Sequence, residues 1–280
     1  MAATTPAQPL VARTVLVTGG SSGIGQATAR LFAERGARVF ATSRGQHPDE
    51  GGVEMLRLDV RSAESVRRCV DEVLARAGQL DVLVNNAGVM QEGFVEETSD
   101  ADAAAVMDAN FFGTVRVTHA VLPGMRERRR GRIINVGSLA AWVGEPGEGF
   151  YAASKAALAR YTEALRHEVW HLGIAVSLVE PGAFATGVLR AGSVTEATIS
   201  DYDGPRESAH RTLRDALRRG ADPRKAAAVI GKVASVSAPR ARYGAGWDGV
   251  WVPYLKAVLP QRVVDLALRR GYHLPMRRPR

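Results

Sequence analysis

The chain has 280 residues, 46% hydrophobic and 24% charged, a balance that excludes a disordered or low-complexity protein and fits one large globular core. The formal net charge of +8 is unevenly placed: Arg206 to Arg280 carries 17 Lys and Arg against 5 Asp and Glu, while the first 205 residues carry 20 against 24. A basic end can serve anionic ligands or surfaces. No aromatic-interleaved or finger-type motif accompanies it, so nucleic-acid binding is set aside and a solvated basic face is favoured over membrane contact by the C-terminal helix.

The single cysteine, Cys69, cannot form an intrachain disulfide and indicates no oxidising compartment. It reads as a small residue on a helix rather than a reactive thiol. The N-terminus lacks the basic start and apolar run of a signal peptide. No apolar stretch approaches the ~18 residues of a spanning helix. The expectation is a soluble, cytoplasmic protein without a metal site.

In chain order, Val-, Ile- and Leu-rich runs predict strands at Thr14–Thr18, Arg38–Thr42, Glu54–Leu58, Val82–Asn85, Arg132–Val136 and Ile174–Val179. Several are apolar without strict alternation, which suits strands buried on both faces. Between them, helical periodicity covers Ile24–Glu34, Ala63–Ala77, Ala103–Glu127 and Tyr151–Leu172. The repeated strand–helix–strand order implies right-handed crossovers and a single α/β domain, a Rossmann-type doubly wound parallel sheet. After Pro181 the pattern weakens. Gly187–Gly204 reads as a long loop over a site. Helices follow at Glu207–Arg219 and Pro223–Ser237, then a short strand at Arg242–Tyr243 and an amphipathic helix at Gln261–Arg270. The expected division is a cofactor and catalytic core over 13–186, a substrate lid over 187–222, and a C-terminal strand and basic helical extension over 223–280.

The first strand runs into Gly19, Gly20, Ser21, Ser22, Gly23, Ile24 and Gly25, and then into a helix. Glycines at a strand-to-helix turn let the backbone approach a pyrophosphate, and the helix N-terminus offers free N–H groups. This spacing is not GxGxxG. It resembles the TGxxxGxG turn of the short-chain dehydrogenase/reductase family. The resemblance continues in Asn85-Asn86-Ala87-Gly88 after the fourth strand, Ser138 after the fifth, Tyr151-Ala152-Ala153-Ser154-Lys155, and Pro181-Gly182 after the sixth. It covers roughly Arg13 to Thr186 and is loose beyond. It implies a nicotinamide dinucleotide held by Gly19, Ser21 to Gly25, Asn86, Ala87, Gly88, Tyr151, Lys155, Pro181, Gly182 and Thr186, with Asp59 and Val60 at the adenine edge.

Cofactor choice is read at the end of the second strand. An NAD enzyme needs an acid there to bind the ribose 2′-hydroxyl. Here the strand ends Ala41-Thr42-Ser43-Arg44, with no Asp or Glu before Asp49. Arg44, assisted by Ser43, can pair with a 2′-phosphate instead, which points to NADP(H) and to carbonyl reduction as the working direction.

Tyr151 and Lys155 are four residues apart and share a helix face, so the ammonium is expected to lower the phenol's pKa and let Tyr151 exchange a proton. The resemblance adds Lys155 binding to the nicotinamide ribose. Ser138, at a strand end, can stabilise charge on a substrate oxygen. The resemblance gives Asn110 the holding of a water that links the lysine to solvent. The expected reaction is NADPH-dependent reduction of a carbonyl to a secondary alcohol on a lipophilic molecule. Steroid-, retinoid- and polyketide-like ketones all suit Trp142, Val143, Phe150, Phe184, Val188 and Leu189 as pocket residues. An NAD-dependent alcohol dehydrogenase and a non-catalytic dinucleotide-binding regulator are the alternatives. Similar enzymes pair the two long helices across a two-fold axis, so a homodimer or homotetramer is expected.

Overall fold

The structure, a computed structural model, describes residues 11–186, 193–195 and 198–276. Its strands are β1 (Thr14–Val17), β2 (Arg38–Ser43), β3 (Val53–Arg57), β4 (Val82–Asn85), β5 (Gln91–Glu92), β6 (Gly131–Val136), β7 (Ile174–Pro181), β8 (Ser193–Val194) and β9 (Arg242–Ala245). Seven form one parallel sheet in the order β3-β2-β1-β4-β6-β7-β9. The order reverses between β1 and β4, which opens a crevice at the carboxyl ends of the strands, where doubly wound sheets bind ligands. The expected fold class is the observed one.

The helices are α1 (Gly23–Glu34), α2 (Ala63–Ala77), α3 (Asp100–Met107), α4 (Gly113–Glu127), α5 (Gly149–Val169), α6 (Asp203–Arg218), α7 (Pro223–Ser235), α8 (Gly246–Val258) and α9 (Gln261–Gly271). Alternate strand residues serve opposite faces of the sheet. Val15, Val17, Val39 and Val84 pack with Phe32 of α1 and Ile230 and Val233 of α7. Leu16, Phe40, Leu83 and Ile133 pack with Val70 of α2, Val121 of α4 and Leu165 of α5. Cys69 lies in this second core, and burial pushes its thiol up to about 12, which makes it inert.

Buried polar side chains tie the sheet to the helices nearest the crevice. Asn85 Nδ2 donates to Asn135 Oδ1 at 2.9 Å and to Thr118 Oγ1 at 3.1 Å, and Asn135 Nδ2 donates to Thr162 Oγ1 at 2.9 Å. The chain of bonds spans β4, β6, α4 and α5, and fixes the position of α5 against the strand ends.

Three features differ from the sequence reading. The helix expected over Ala103–Glu127 is broken by a π-helical turn, Asp108–Phe112, between α3 and α4. Close packing at this break involves Gly113, where a Cβ would lie 2.7 Å from Val60 Cγ2. Beyond Pro181, part of the expected loop pairs: β8 joins β5 in a second, two-stranded sheet, and α6 begins four residues before the expected start. Thirdly, the basic end contains the unpredicted helix α8. It carries Pro253 in its interior and exposes Trp247, Trp251 and Tyr254, so this end is not a purely charged face. Among the described residues no helix is long and apolar enough to cross a membrane.

Candidate active site

The glycine-rich turn is built against the segment after β4. Thr18 Oγ1 accepts the Asn86 and Ala87 N–H groups, both at 3.0 Å, and Asn86 Nδ2 donates to the Thr18 and Gly19 carbonyls, also at 3.0 Å. Gly19 has φ +67, and a Cβ there would lie 2.9 Å from Ala87 Cα; a Cβ on Gly25 would lie 2.2 Å from the Gly19 carbonyl oxygen. Side chains at either position would fill the turn. Ser22, at the N-cap of α1, makes no side-chain cap bond, so N–H groups of the first turn remain for an anionic ligand.

All of the predicted site residues except Gly25 and Asn110 line one continuous cavity of ≈ 810 Å³. Gly25 lies beneath the turn. Asn110 is fully buried in the π-helical turn, a local geometry often found at functional sites. Its Nδ2 donates to the Val89 carbonyl at 2.9 Å and to Ser154 Oγ at 3.0 Å, and its Oδ1 accepts the Val89 N–H at 2.7 Å. The side chain thus clamps the segment that follows Gly88.

At the end of the cavity expected to take the adenosine, Ser43 accepts the Gly45 N–H at 3.2 Å, and Arg44 is exposed at the cavity margin. Asp59 is held below the usual carboxylate range, chiefly by its hydrogen bond from Arg61; the Arg61 Nη2–Asp59 Oδ2 distance is 2.9 Å. Arg61, absent from the sequence reading, therefore lines the cavity with its charge already paired. The signal for it was local: an Arg two residues after an Asp that accepts its backbone N–H.

At the other end lie Ser138, Tyr151 and Lys155. Ser138 Oγ accepts the Ala140 N–H at 3.1 Å. Lys155 Nζ donates to the Val136 carbonyl at 3.1 Å and sits 5.8 Å from the centre of the Tyr151 ring. The expected lowering of the Tyr151 pKa is not found. Burial pushes the phenol up to about 12, the Ser138 hydroxyl opposes this, and the negative charges of Glu148 and Glu145 add to it. Burial also lowers Lys155 to about 8. In both groups desolvation is the leading cause and acts against the charged form.

The rest of the cavity differs from expectation. Phe184 lines it, as predicted. Trp142 instead donates from Nε1 to Glu180 Oε1 at 2.8 Å, beneath the Arg242 guanidinium. Val143 and Phe150 are not among the lining residues, and Val188 and Leu189 lie outside the described residues. The apolar wall comes from Met90, Val106, Leu213, Leu217 and Val252. Asp248 of α8 accepts the Ala183 N–H at 2.7 Å, and Tyr272 after α9 donates to Glu145 Oε2 at 2.6 Å. The C-terminal extension thus lines one side of the site. No local pattern announces this, because it depends on a tertiary return of the chain.

The short chain dehydrogenase family model matches residues 13–196. A 3-ketodihydrosphingosine reductase of Bacteroides thetaiotaomicron is 39% identical over 261 residues, 92% of this chain and 97% of that protein. A 3-oxoacyl-[acyl-carrier-protein] reductase of Vibrio cholerae is 33% identical, covering 85% of this chain and 94% of its own. Among solved structures, a short-chain dehydrogenase from Streptomyces avermitilis aligns with a TM-score of 0.79 at 35% identity, over 93% of this chain and 98% of that one. One from Burkholderia phymatum, in complex with NAD, aligns at 0.77 and 25% identity, over 98% and 99%. Motifs, sheet order and these matches agree: the chain belongs to the short chain dehydrogenase family of oxidoreductases.

Proposed function

We propose that the protein reduces a carbonyl to a secondary alcohol on a lipophilic small molecule, with NADPH as the cofactor. The observation that carries this reading is the convergence of Ser138, Tyr151 and Lys155 at one end of a cavity whose other end is the glycine-rich turn. The Gly19 and Gly25 contacts, which leave no room for a Cβ, pack the turn tightly against the start of α1, whose free N–H groups suit a pyrophosphate. Bound there, a nicotinamide dinucleotide supplies the hydride. Tyr151 supplies the proton to the carbonyl oxygen, Ser138 donates a hydrogen bond to the same oxygen, and Lys155 holds the cofactor ribose. A phenol pushed up to about 12 is protonated at neutral pH, the state a reduction requires of its acid. The apolar wall of Met90, Val106, Leu213, Leu217 and Val252 suits a hydrophobic remainder of the substrate.

Two of the relatives are named for ketone substrates, a 3-ketodihydrosphingosine and a 3-oxoacyl group, which favours reduction over the alternative of an NAD-dependent alcohol dehydrogenase. The test is a panel of ketones, including long-chain 3-ketones, steroids and 3-oxoacyl thioesters, incubated with purified protein and NADPH. At least one lipophilic ketone should be turned over well above small water-soluble ketones. Preference for small polar ketones would overturn the substrate class.

We further propose a homodimer, or a tetramer built from it, paired through α4 and α5. Phe112, just before α4, and Trp170, just after α5, are exposed and offer apolar surface at the ends of these helices that a two-fold partner would cover. Light scattering at micromolar concentration should give a dimeric or tetrameric mass, and a monomeric mass contradicts the proposal.

A further inference from the structure

Glu145 and Glu148 line the cavity near Tyr151, the charge of Glu92 reaches Glu148, and two of these three carboxylates are partnered. Glu145 accepts from the Tyr272 hydroxyl at 2.6 Å. Glu92 faces Arg214 at 3.3 Å and His210 at 3.9 Å. The third, Glu148, lines the cavity, is 3% exposed, and its Oε1 has no hydrogen-bond partner. It occupies the N-cap of α5 but its side chain makes no cap bond. A buried, unpartnered carboxyl costs stability, and no contact within the fold explains it.

Resting on the proposed carbonyl reduction, we infer that Glu148, backed by Glu145, binds a cationic amino group carried by the substrate close to its carbonyl. The placement follows from the start of α5: Glu148 at its N-cap and Tyr151 in its first turn both line the cavity, and the charge of Glu148 is felt at the Tyr151 phenol. With the carbonyl oxygen at the Tyr151 hydroxyl, a carboxylate lining the same stretch of cavity faces a substituent carried close to the carbonyl carbon. The rest of the substrate lies along Met90, Leu213, Leu217 and Val252. The substrate class is therefore a long-chain amino ketone. Burial, together with the charges of Glu145 and Glu92, pushes Glu148 up to about 8, and a bound ammonium reverses that direction by stabilising the carboxylate. Arg214 and His210 approach Glu92 rather than Glu148, so they leave this position open to a cation.

The test compares two matched long-chain 3-ketones, with and without a 2-amino group, as substrates of the wild-type protein and of Glu148→Gln. The wild type should favour the amino ketone in kcat/KM by about tenfold or more, the range of a charge-assisted hydrogen bond. In Glu148→Gln that ratio should fall about tenfold, mainly through KM. A second arm measures thermal shifts of both proteins, with NADPH present, on adding a long-chain primary amine or the matching alcohol; only the amine shift should shrink in the variant. If neither ketone is reduced, carbonyl reduction fails on its own account and the thermal arm decides the amine site. A wild type that treats amine and alcohol alike, or a ratio unchanged in Glu148→Gln, overturns the inference.

Discussion

Replacing Tyr151 with Phe should lower turnover at least ~100-fold, the low end for removal of a positioned acid, while fold and cofactor affinity are retained. The ring stays in place, so packing against the cavity wall is kept. Only the hydroxyl, with its contact to Ser138, is lost. The pH dependence follows from the direction of the Tyr151 shift. Reduction needs the protonated phenol, and a pKa raised to about 12 keeps it protonated through the neutral range, so this group sets no loss of reduction there. Oxidation of the alcohol needs the phenolate, whose fraction grows about tenfold per pH unit below that value, so the reverse rate should climb steeply with pH. Initial rates in both directions, with circular dichroism and cofactor titration as controls, check this. Near wild-type kcat in Tyr151→Phe removes the assigned role.

Arg44→Ala should raise KM for NADPH by roughly 10- to 150-fold and leave KM for NADH nearly unchanged. The range is that of a charge-assisted pair of about 1.5–3 kcal/mol. Asp59, the carboxylate nearest this end of the cavity, is engaged by Arg61, which tempers its repulsion of a 2′-phosphate. Arg44 is exposed at the margin and makes no ion pair among the described residues, so its guanidinium is available for bidentate binding. The wild type should then prefer NADPH by at least tenfold in kcat/KM. Equal use of the two cofactors overturns the assignment and, with it, the argument for a reductive working direction.

The cofactor half of this protein was legible because its signals are local. The Val- and Ile-rich strands, the glycine turn between β1 and α1, and the Tyr151–Lys155 spacing each express short-range constraints, and the sheet order follows from their alternation. Asn110 was found by position but not by its surroundings. A π-helical turn has no composition of its own, and the clamp on Val89 appears only once two distant segments meet. The expected effect of Lys155 on Tyr151 failed because spacing along a helix reports proximity and not burial. Desolvation, which dominates here, belongs to the assembled site. The substrate half was least legible. Trp142 and Phe150 looked like pocket residues because they are aromatic and near the motifs. Leu213, Leu217, Val252 and Tyr272 form the wall because α6, α8 and the segment after α9 fold back over it. Glu148, three residues before the Tyr151 motif, lies outside the predicted helix and carries no sequence signal; its lack of a partner appears only in the fold.

The central claim, that this is a carbonyl reductase with Tyr151 as its acid, is tested most directly by stoichiometry. Purified protein, NADPH and a long-chain 3-ketone are incubated, and NADPH consumed is compared with secondary alcohol formed, measured by mass spectrometry. One alcohol per NADPH oxidised is expected with the wild type, and at least ~100-fold slower formation of both products with Tyr151→Phe. Tight NADPH binding without oxidation or alcohol, across the ketone panel, would contradict it and leave a dinucleotide-binding protein that does not catalyse.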